Sequence, residues 1–343
     1  MWRYQINKQK WTLYIFIMLH SISIMAQIKL TSLPEVMKAT SFIVTDQYIY
    51  VAEPYRVHIY SLDFKHIKSF GKKGEGPEEF NAFFKIQINF LNDKLYVNCR
   101  RKFLVYNPDG EFLKEFRMKF SEFGIMPINK GYFGNQVNID RKTGKKTLKI
   151  ILLDNEKVEK KVFYKNESKI NLDLTRPYII KYQDPIIGYI GPKHFIIYKP
   201  GKDFSLMLYH HSGQLNRILT IPYKKITIPQ SYKNAFIANR KKPLKGRLMS
   251  YYNELMKNAT FRFPPHFSPC RTVKADKYYI YVFRDIPDFS KYGIWIINYQ
   301  GEILKRTKIP RNRIGWLHRG IYYSVIENED SEEWELWSKK LFP

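Results

Sequence analysis

Two stretches of the chain repeat each other: YIYVAEPYRVHIYSLDFKHIKSF at Tyr48–Phe70 and KLYVNCRRKFLVYNPDGEFLKEF at Lys94–Phe116 align without a gap at an offset of 46 residues. Most positions keep their polarity, and the identical pairs are Tyr50/Tyr96, Val51/Val97, Tyr60/Tyr106, Asp63/Asp109, Lys68/Lys114 and Phe70/Phe116. A repeat of about this length, built from short runs with the apolar pattern of strands, is typical of a propeller blade or a similar array. The repeat predicts a β-architecture but does not indicate what the protein binds or which reaction, if any, it catalyses.

Each copy contains short strand-like runs separated by polar breaks. In the first copy the runs are 49–52, 57–60 and a third that ends at Phe70, with a turn centred on Asp63. In the second copy Pro108-Asp109-Gly110 separates two apolar runs. Because glycine adopts positive φ at little cost, this turn is a strong hairpin signal.

Weaker copies of the hairpin follow at 150–163, 206–219, 294–305 and 321–341, which brings the number of units to six. A single long sheet would expose its edges, whereas a closed ring leaves only short, protected ones. We therefore predict an all-β fold, a six-bladed β-propeller in which a strand near 28–33 completes the last blade. A seven-bladed ring is the alternative.

The segment at about residues 229–259 departs from this pattern. Its apolar side chains recur at helical spacing, and they are Leu244, Leu248, Tyr251, Leu255 and Met256. The spacing predicts a helical insertion between blades four and five that packs on the ring as a lid.

The chain of 343 residues carries 58 Lys and Arg against 31 Asp and Glu, a formal charge of +27. Such an excess suits a polyanionic partner, but the lysines are scattered between the predicted strands and form no single block. Aromatic residues make up 16% of the chain, in keeping with the preference of Tyr and Phe for pleated surfaces. Because the sequence contains no nucleic-acid-binding motif, we expect no nucleic-acid partner.

The first 26 residues follow the order of a secretory signal peptide. A basic stretch precedes about 15 mostly apolar residues, and Ala26-Gln27 offers a cleavage point; the apolar stretch is shorter than the ~20 residues that span a bilayer. We predict a signal peptide at 1–26 and an extracytoplasmic (periplasmic or secreted) propeller domain at 27–343, with an uncleaved signal anchor as the alternative. No cysteine lies near the junction, so we expect no lipoprotein, and we expect no membrane span in the mature chain.

The ten residues Gly71–Phe80 after the first unit read GKKGEGPEEF. This stretch resembles the GxxGxGPxEF loop of bacterial secreted six-bladed β-propeller proteins related to the NHL-repeat and TolB-like groups. The resemblance implies a propeller from about residue 40 onward, and family members often have Gly at the position of Glu78. Pro77 stiffens the exit of the loop, and we expect Phe80 to wedge into the next blade. Neither a P-loop nor a GxGxxG motif is present, so the loop is interpreted as a connector.

The sequence contains no recognisable catalytic or metal-binding motif. Its histidines occur neither in HExxH nor beside paired cysteines, no GxSxG elbow is present, and the acidic cluster at 327–335 lacks the spacing of a calcium loop. Cys99 and Cys270 are the only cysteines, and we expect both to be free thiols. The prediction is no metal and no cofactor, with any catalytic residue unknown.

The predicted order of the strands also indicates a candidate ligand site on one face of the ring. In a propeller blade, the break between the second and third strands lies on the same face as the connector to the next blade. That face collects basic and aromatic side chains, and the predicted ligand-binding residues are Tyr55, Arg56, Lys72, Lys73, Arg100, Arg101 and Arg284. Converging arginines favour carboxylate or sulfate groups, although the polar loops of so basic a chain are expected to be basic without any ligand.

These observations support an extracytoplasmic binding or scaffold module that recognises an anionic glycan, peptide or protein through this basic face. The rival hypothesis is a propeller enzyme, a lyase or hydrolase, acting at the mouth of the central channel. An enzyme requires a metal or a strongly perturbed acid–base pair in the channel, whereas a scaffold requires only contact surface. A purely structural component of the cell envelope is the third hypothesis.

Overall fold

The computed structural model describes residues 27–81, 86–99, 102–117, 125–128, 130–140, 142–169, 179–181, 187–199, 201, 203–243, 250–257, 259–311 and 314–342. The predicted signal peptide at 1–26 lies outside these residues. Six four-stranded antiparallel sheets form the blades of a propeller, numbered here 1 to 6 in chain order from Ser41. The strands of each blade are called A to D. The A strand of blade 1 contacts those of blades 2 and 6, and the A strands of blades 4 and 5 contact each other, around a central channel. The predicted all-β, six-bladed propeller is confirmed.

The strands are numbered in chain order, and the first is β1 (Ile28–Leu33). Blade 1 consists of β2 (Ser41–Val44), β3 (Tyr48–Ala52), β4 (Val57–Ser61) and β5 (His66–Phe70), and the short strands β6 (Lys72–Lys73) and β7 (Glu79–Phe80) follow it. Blade 2 consists of β8 (Gln87–Leu91), β9 (Lys94–Cys99), β10 (Lys102–Tyr106) and β11 (Phe112–Arg117). Blade 3 consists of β12 (Ile125–Ile128), β13 (Gly131–Ile139), β14 (Lys145–Leu153) and β15 (Glu159–Lys169), and it is followed by β16 (Ile179–Lys181).

Blade 4 consists of β17 (Ile187–Ile190), β18 (Phe195–Tyr198), β19 (Ser205–Tyr209) and β20 (Leu215–Thr220). The helices α1 (Gln230–Lys241) and α2 (Ser250–Lys257) and the strand β21 (Thr260–Arg262) come next. Blade 5 consists of β22 (Thr272–Ala275), β23 (Ile280–Asp285), β24 (Lys291–Ile297) and β25 (Ile303–Pro310). Blade 6 consists of β26 (Ile314–His318), β27 (Ile321–Glu327), β28 (Trp334–Lys340) and, as its D strand, β1.

Blade 6 closes the ring by joining an early strand to a late one. β1 pairs antiparallel with β28, and Leu33 lies opposite Trp334. An ion pair of 2.6 Å between Lys29 Nζ and Glu335 Oε1 adds to this contact. The predicted role of the 28–33 strand as the last strand of the ring is confirmed.

The two helices lie between blades 4 and 5, as predicted. Tyr232 and Phe236 of α1 are buried, and the ring of Tyr232 packs edge-on against Phe267 at 4.7 Å. These anchors differ from the apolar series that predicted the helix, of which Leu244 and Leu248 lie outside the described residues. No helix in the described part of the chain is long and apolar enough to cross a membrane.

The connector Gly71–Phe80 fastens blade 1 to blade 2. Phe80 is fully buried, with its ring 6.3 Å from Phe70 and 6.5 Å from Tyr106. Gly71 has a φ of +93°, and a Cβ at this position would lie 2.6 Å from the Phe80 ring. The predicted wedge is confirmed, and the glycine is required for its close approach.

Antiparallel pairing sorts the connections of the blades onto two faces of the ring. The A–B and C–D turns share one face, here called the turn face; the B–C turns and the D–A connectors share the other, the loop face. The break at 53–56, the connector at 71–80 and both helices therefore lie on the loop face. The Asp109-Gly110 turn lies on the turn face.

Candidate functional site

The central channel contains a cavity of about 650 Å³, a volume typical of small-ligand sites. All six blades line it, mainly through A strands and A–B turns, and one lining residue from each is Asp46, Asn89, Met126, Tyr189, Lys277 and Trp316. Because the A–B turns contribute to the wall, the cavity extends to the turn face of the ring. The site is therefore concave and is completed only when the ring is closed.

Aromatic rings and amide groups are prominent in the cavity wall. The rings belong to Phe90, Phe103, Phe133, Tyr189 and Trp316, and the amides to Gln47, Gln87, Asn89, Asn92 and Asn98. An aromatic ring offers an apolar face, and a side-chain amide offers both hydrogen-bond donors and an acceptor. Such a wall suits a ligand with a flat apolar surface edged by hydroxyl or carbonyl groups.

Lys274 in the A strand of blade 5 contacts Trp316 of this wall but is not itself a lining residue. Its Nζ lies 4.6 Å from the centre of the Trp316 ring and donates a hydrogen bond to the Gly315 carbonyl oxygen at 3.2 Å. Burial lowers the pKa of Lys274 to about 8. No carboxylate of the described residues pairs with this ammonium group, which is in contact with an indole ring and a carbonyl oxygen.

An ion cluster joins three blades at the turn-face end of the cavity. Asp46 of blade 1 binds Lys277 of blade 5, and Asp46 Oδ1 lies 3.0 Å from His318 Nε2 and 2.5 Å from Arg319 Nη2 of blade 6. Burial alone would raise the pKa of Asp46, but Lys277, His318 and Arg319 hold it below its ordinary value. Burial lowers the pKa of His318, outweighing the nearby carboxylates. The negative charge of Asp46 is thus compensated within the protein.

Asp276 organises the same end of the cavity. Its Oδ1 accepts hydrogen bonds from the backbone N–H groups of Tyr278 and Tyr279 at 2.7 Å each. Its Oδ2 accepts hydrogen bonds from the Tyr281 hydroxyl and the Arg319 backbone N–H at 2.7 Å each. With four donors, this buried carboxylate fixes the A–B turns of blades 5 and 6 that carry the basic side chains of the ion cluster.

Comparison with known proteins agrees with this geometry. The model of a family described as a 6-bladed beta-propeller matches residues 31–211, more than half of the chain. The chain belongs to this 6-bladed beta-propeller family. None of the curated proteins compared with it matches.

Solved structures resemble this propeller in fold. A candidate exported protein from Bacteroides fragilis superimposes with a TM-score of 0.52 at 13% identity, covering 93% of this chain and 96% of the other. The Pan2 WD40 domain of Neurospora crassa gives a TM-score of 0.34 at 8% identity, covering 88% of this chain and 75% of the other. Kluyveromyces lactis Hsv2 gives a TM-score of 0.34 at 8% identity, covering 87% of this chain and 97% of the other. The first likeness concerns the fold alone, and the other two carry no argument.

Four of the seven predicted ligand-binding residues lie together on the loop face of the propeller. Lys73 Nζ lies 5.4 Å from the centre of the Tyr55 ring, Lys72 Nζ lies 3.2 Å from Glu79 Oε1, and Arg56 is exposed beside Tyr55. We call these four residues (Tyr55, Arg56, Lys72 and Lys73) the loop patch. None of them lines the channel cavity.

Arg284, a fifth predicted residue, does not join the loop patch. Arg284 is only 5% exposed, and its guanidinium carbon lies 4.1 Å from the ring centre of Trp295 and 5.1 Å from that of Tyr223. Burial lowers the pKa of Arg284. It packs within blade 5 and against the connector that leaves blade 4. Arg100 and Arg101 lie outside the described residues.

Blade 1 also contains a connected serine, histidine and glutamate that the sequence does not reveal. Ser69 Oγ lies 2.8 Å from His58 Nδ1, and His58 Nε2 lies 3.4 Å from Glu53 Oε2. Glu53 Oε1 also accepts the backbone N–H of Lys38 at 2.9 Å. These residues lie outside the channel cavity, and Glu53 fastens the segment between β1 and β2. The burial of His58 agrees with its interpretation as a packed core histidine.

Within the described ranges, no group of three or more His, Cys, Asp or Glu is placed to hold a metal ion. Cys99 and Cys270 are both free and buried, as predicted. The cavity residues themselves were not selected from the sequence, although polar residues such as Asn89 within the apolar run 87–91 are a signal that points to a channel-facing strand.

Proposed function

We propose that this chain is an extracytoplasmic binding propeller that recognises an anionic glycan, peptide or protein. The observation that carries the proposal is the channel cavity of about 650 Å³, whose wall combines aromatic rings and amide groups and includes Lys277 and His318. Concave sites of this size with a few convergent polar groups are the usual ligand sites of proteins. A closed ring of packed blades holds such a site in place before the ligand arrives, which lowers the cost of binding.

Two surfaces of the ring compete as the ligand site. The cavity encloses its ligand, whereas the loop patch lies in loops on the opposite face, and Lys72 within it is already paired with Glu79. We place the ligand in the cavity and keep the loop patch, together with Arg100 and Arg101, as the alternative contact surface for a larger anionic partner.

A ligand screen tests this proposal. Acidic oligosaccharides and acidic peptides are added to the purified protein, thermal stabilisation is recorded, and each hit is measured by calorimetry. For a ligand in the cavity, Trp316→Ala should weaken binding at least about tenfold, since a buried aromatic contact is lost, and Arg56→Ala should leave it unchanged. The reverse pattern would move the ligand to the loop patch. A protein that binds none of these probes is better described as a structural envelope component.

We also propose that residues 1–26 are a signal peptide and that the exported propeller comprises 27–343. The basic and apolar order of the leader supports this. The closer relation to the secreted NHL-repeat and TolB-like groups rests on the Gly71–Phe80 loop and belongs to the same proposal. N-terminal sequencing of the exported protein should begin at Gln27, and a chain that keeps Met1 would favour a signal anchor.

A second candidate function is a lyase or hydrolase at the channel mouth. His318 lines the cavity, its Nε2 lies 3.0 Å from Asp46 Oδ1, and burial lowers its pKa, so a neutral imidazole is available to accept a proton. The two functions are separated by incubating each bound oligosaccharide with the protein and following new reducing ends or unsaturated products. Turnover that His318→Ala abolishes would establish the enzyme, and binding without turnover supports the binding module.

A further inference from the structure

We propose that the guanidinium group of Arg284, at the junction of blades 4 and 5, binds an oxyanion through its Nε and Nη2 atoms. The ligand is a carboxylate, sulfate or phosphate group, either free in solution or carried by a larger anionic molecule. Arg284 belongs neither to the wall of the channel cavity nor to the loop patch. The inference therefore describes a separate site and does not rest on the proposed function.

The first argument is that the charge of Arg284 has no partner. Its Nε and Nη2 atoms are buried and have no hydrogen-bond partner, and no carboxylate of the described residues acts on its charge. Arg311, another arginine on the loop face, instead places its Nη2 2.7 Å from Asp285 Oδ1. A buried charge without a counter-ion destabilises a fold, and a bound anion offsets that cost.

The second argument is the geometry of these two nitrogens. In a planar guanidinium group the N–H bonds of Nε and Nη2 run side by side along one edge, and this edge is a fork that binds two oxygens of one oxyanion. The ring centres of Trp295 and Tyr223 lie 4.1 and 5.1 Å from the guanidinium carbon. The two rings fix the orientation of the fork, and neither of them supplies an acceptor of its own to it.

The guanidinium group lies close to the loop face. Arg284 is the last residue but one of β23, the end of which lies on that face. The third guanidinium nitrogen, Nη1, is not among the buried unpartnered atoms, which agrees with the 5% of the residue that remains exposed. Tyr223 is half-buried and belongs to the connector between β20 and α1. An oxyanion therefore approaches from the loop face, where a side chain of a connector and not a strand borders the group.

The third argument is the charge of the chain around this junction. Between Asp203 and Glu254 the sequence contains no acidic residue, although the whole chain has 31 in 343. The same stretch contains nine basic residues, and two of them, Lys224 and Lys225, lie in the connector that leaves blade 4. Arg306, exposed on the outer strand of blade 5, has its guanidinium carbon 5.1 Å from the centre of the same indole ring. This positive field draws an anion to the junction.

Thermal melts of the purified propeller in salts of equal ionic strength test this inference. The salts are sodium chloride, acetate, sulfate and phosphate, and a trisaccharide of uronic acids represents an oxyanion on a larger molecule. The variants are Arg284→Met, which removes the charge, and Arg284→Lys, which keeps the charge without the fork. Arg240→Gln is the matched control, because Arg240 is likewise an arginine over an aromatic ring on the loop face but is exposed.

At least one oxyanion should raise the Tm of the unmodified protein above its value in chloride, and the rise should saturate with a midpoint on the order of 1 mM, the affinity of one good contact. Arg284→Met should abolish the rise. Arg284→Lys should shift its midpoint at least about tenfold, since one of two charge-assisted hydrogen bonds is lost, and Arg240→Gln should leave it unchanged. In chloride alone Arg284→Met should melt no lower than the unmodified protein, because it removes a buried unpaired charge.

Equal melting of the unmodified protein in chloride and in every oxyanion overturns the inference without requiring any variant to fold. A rise that does not saturate and that Arg284→Met retains is the general stabilising effect of such salts and counts against the site. If Arg284→Met melts lower by the same margin in every salt, Arg284 only packs between the two rings. A saturating response to the free ions alone supports a site for small oxyanions, and a response to the trisaccharide as well supports a group on a larger ligand.

Discussion

Glu78 holds a backbone conformation that its side chain disfavours. Its φ is +59°, in the left-handed region, and loops that resemble Gly71–Phe80 often carry glycine there. The left-handed conformation costs an L-residue about 1–2 kcal/mol, and the greater unfolded-state freedom of glycine offsets about 0.5–1 kcal/mol of that. We expect Glu78→Gly to raise the free energy of unfolding by up to about 1 kcal/mol, measured by urea denaturation.

Glu75 provides the control in the same loop. It is not among the residues with positive φ, and its carboxylate accepts a hydrogen bond from Asn81. Glu75→Gly should therefore lower stability where Glu78→Gly raises it. If both changes lower it equally, the left-handed backbone of Glu78 is not under strain.

Glu53 makes the stability of the fold depend on pH in the acidic range. Burial alone would raise its pKa, but hydrogen bonds from His58 and from the backbone N–H groups of Lys38 and Met37 hold it below the ordinary value. A carboxyl group with a lowered folded pKa stabilises the fold above its unfolded pKa of about 4.3, and that contribution is lost as the pH falls through the folded pKa.

We expect Glu53→Gln to melt below the unmodified protein at pH 7, because the charge-assisted contacts of the carboxylate are weakened. The gap in Tm should shrink below about pH 4, where the carboxyl group of the unmodified protein becomes protonated. Thermal melts from pH 7 to pH 3 check this, with Glu329→Gln at the exposed acidic turn as the control. A gap that stays constant over this range would show that the ionised carboxylate does not matter.

At the scale of the element, the C–D turns join neighbouring blades as well as neighbouring strands. Gly110 in the C–D turn of blade 2 has a φ of +74°, and a Cβ there would lie 2.8 Å from Ile59 Cδ1 and from the Phe70 ring, both in blade 1. Tyr50 of blade 1 donates its hydroxyl hydrogen bond to the Pro108 carbonyl oxygen of the same turn at 2.9 Å. Gly110 therefore has two roles. It adopts the positive φ of the hairpin turn, and its lack of a Cβ lets the turn pack against blade 1.

Gly110→Ala should therefore lower the free energy of unfolding by at least about 2 kcal/mol, from left-handed strain and overpacking together. Gly201→Ala is the control, since the nearest atom to a Cβ there is a backbone oxygen at 3.8 Å and its φ is not positive. Denaturant melts of both variants test the difference. Equal losses would mean that the turn does not pack on blade 1 as described.

The repeated segment explains what the sequence could and could not predict. Tyr48–Phe70 covers strands B, C and D of blade 1, and Lys94–Phe116 covers the same strands of blade 2. These strands repeat because every blade packs on its neighbours in the same way. The A strands face the channel and differ from blade to blade, so the repeat that reveals the ring omits the strands that line its cavity. Burial of Arg284 against Trp295 likewise depends on a contact between strands that spacing alone does not show.

At the scale of the whole molecule, closure depends on β1. Without it, blade 6 has three strands and leaves the edge of β28 open, and exposed strand edges favour aggregation. A chain that begins at residue 34 should lose cooperative unfolding and melt at a lower temperature than a chain that begins at Gln27. Addition of a synthetic peptide of residues 27–33 should restore part of the loss. Equal melting of the two chains would show that the ring closes without β1.

The pairing of β1 with β28 also determines when the ring can close as the chain is synthesised or exported. A ribosome or an export channel delivers the chain from its N-terminus, so β1 emerges long before its partner, which starts at Trp334. For nearly the whole of its delivery the closing strand has no partner, while five complete blades form one after another beside it. The cavity, which needs all six blades, comes into existence only at the final step. A chain halted shortly before Trp334 would therefore hold most of its fold and none of its proposed function.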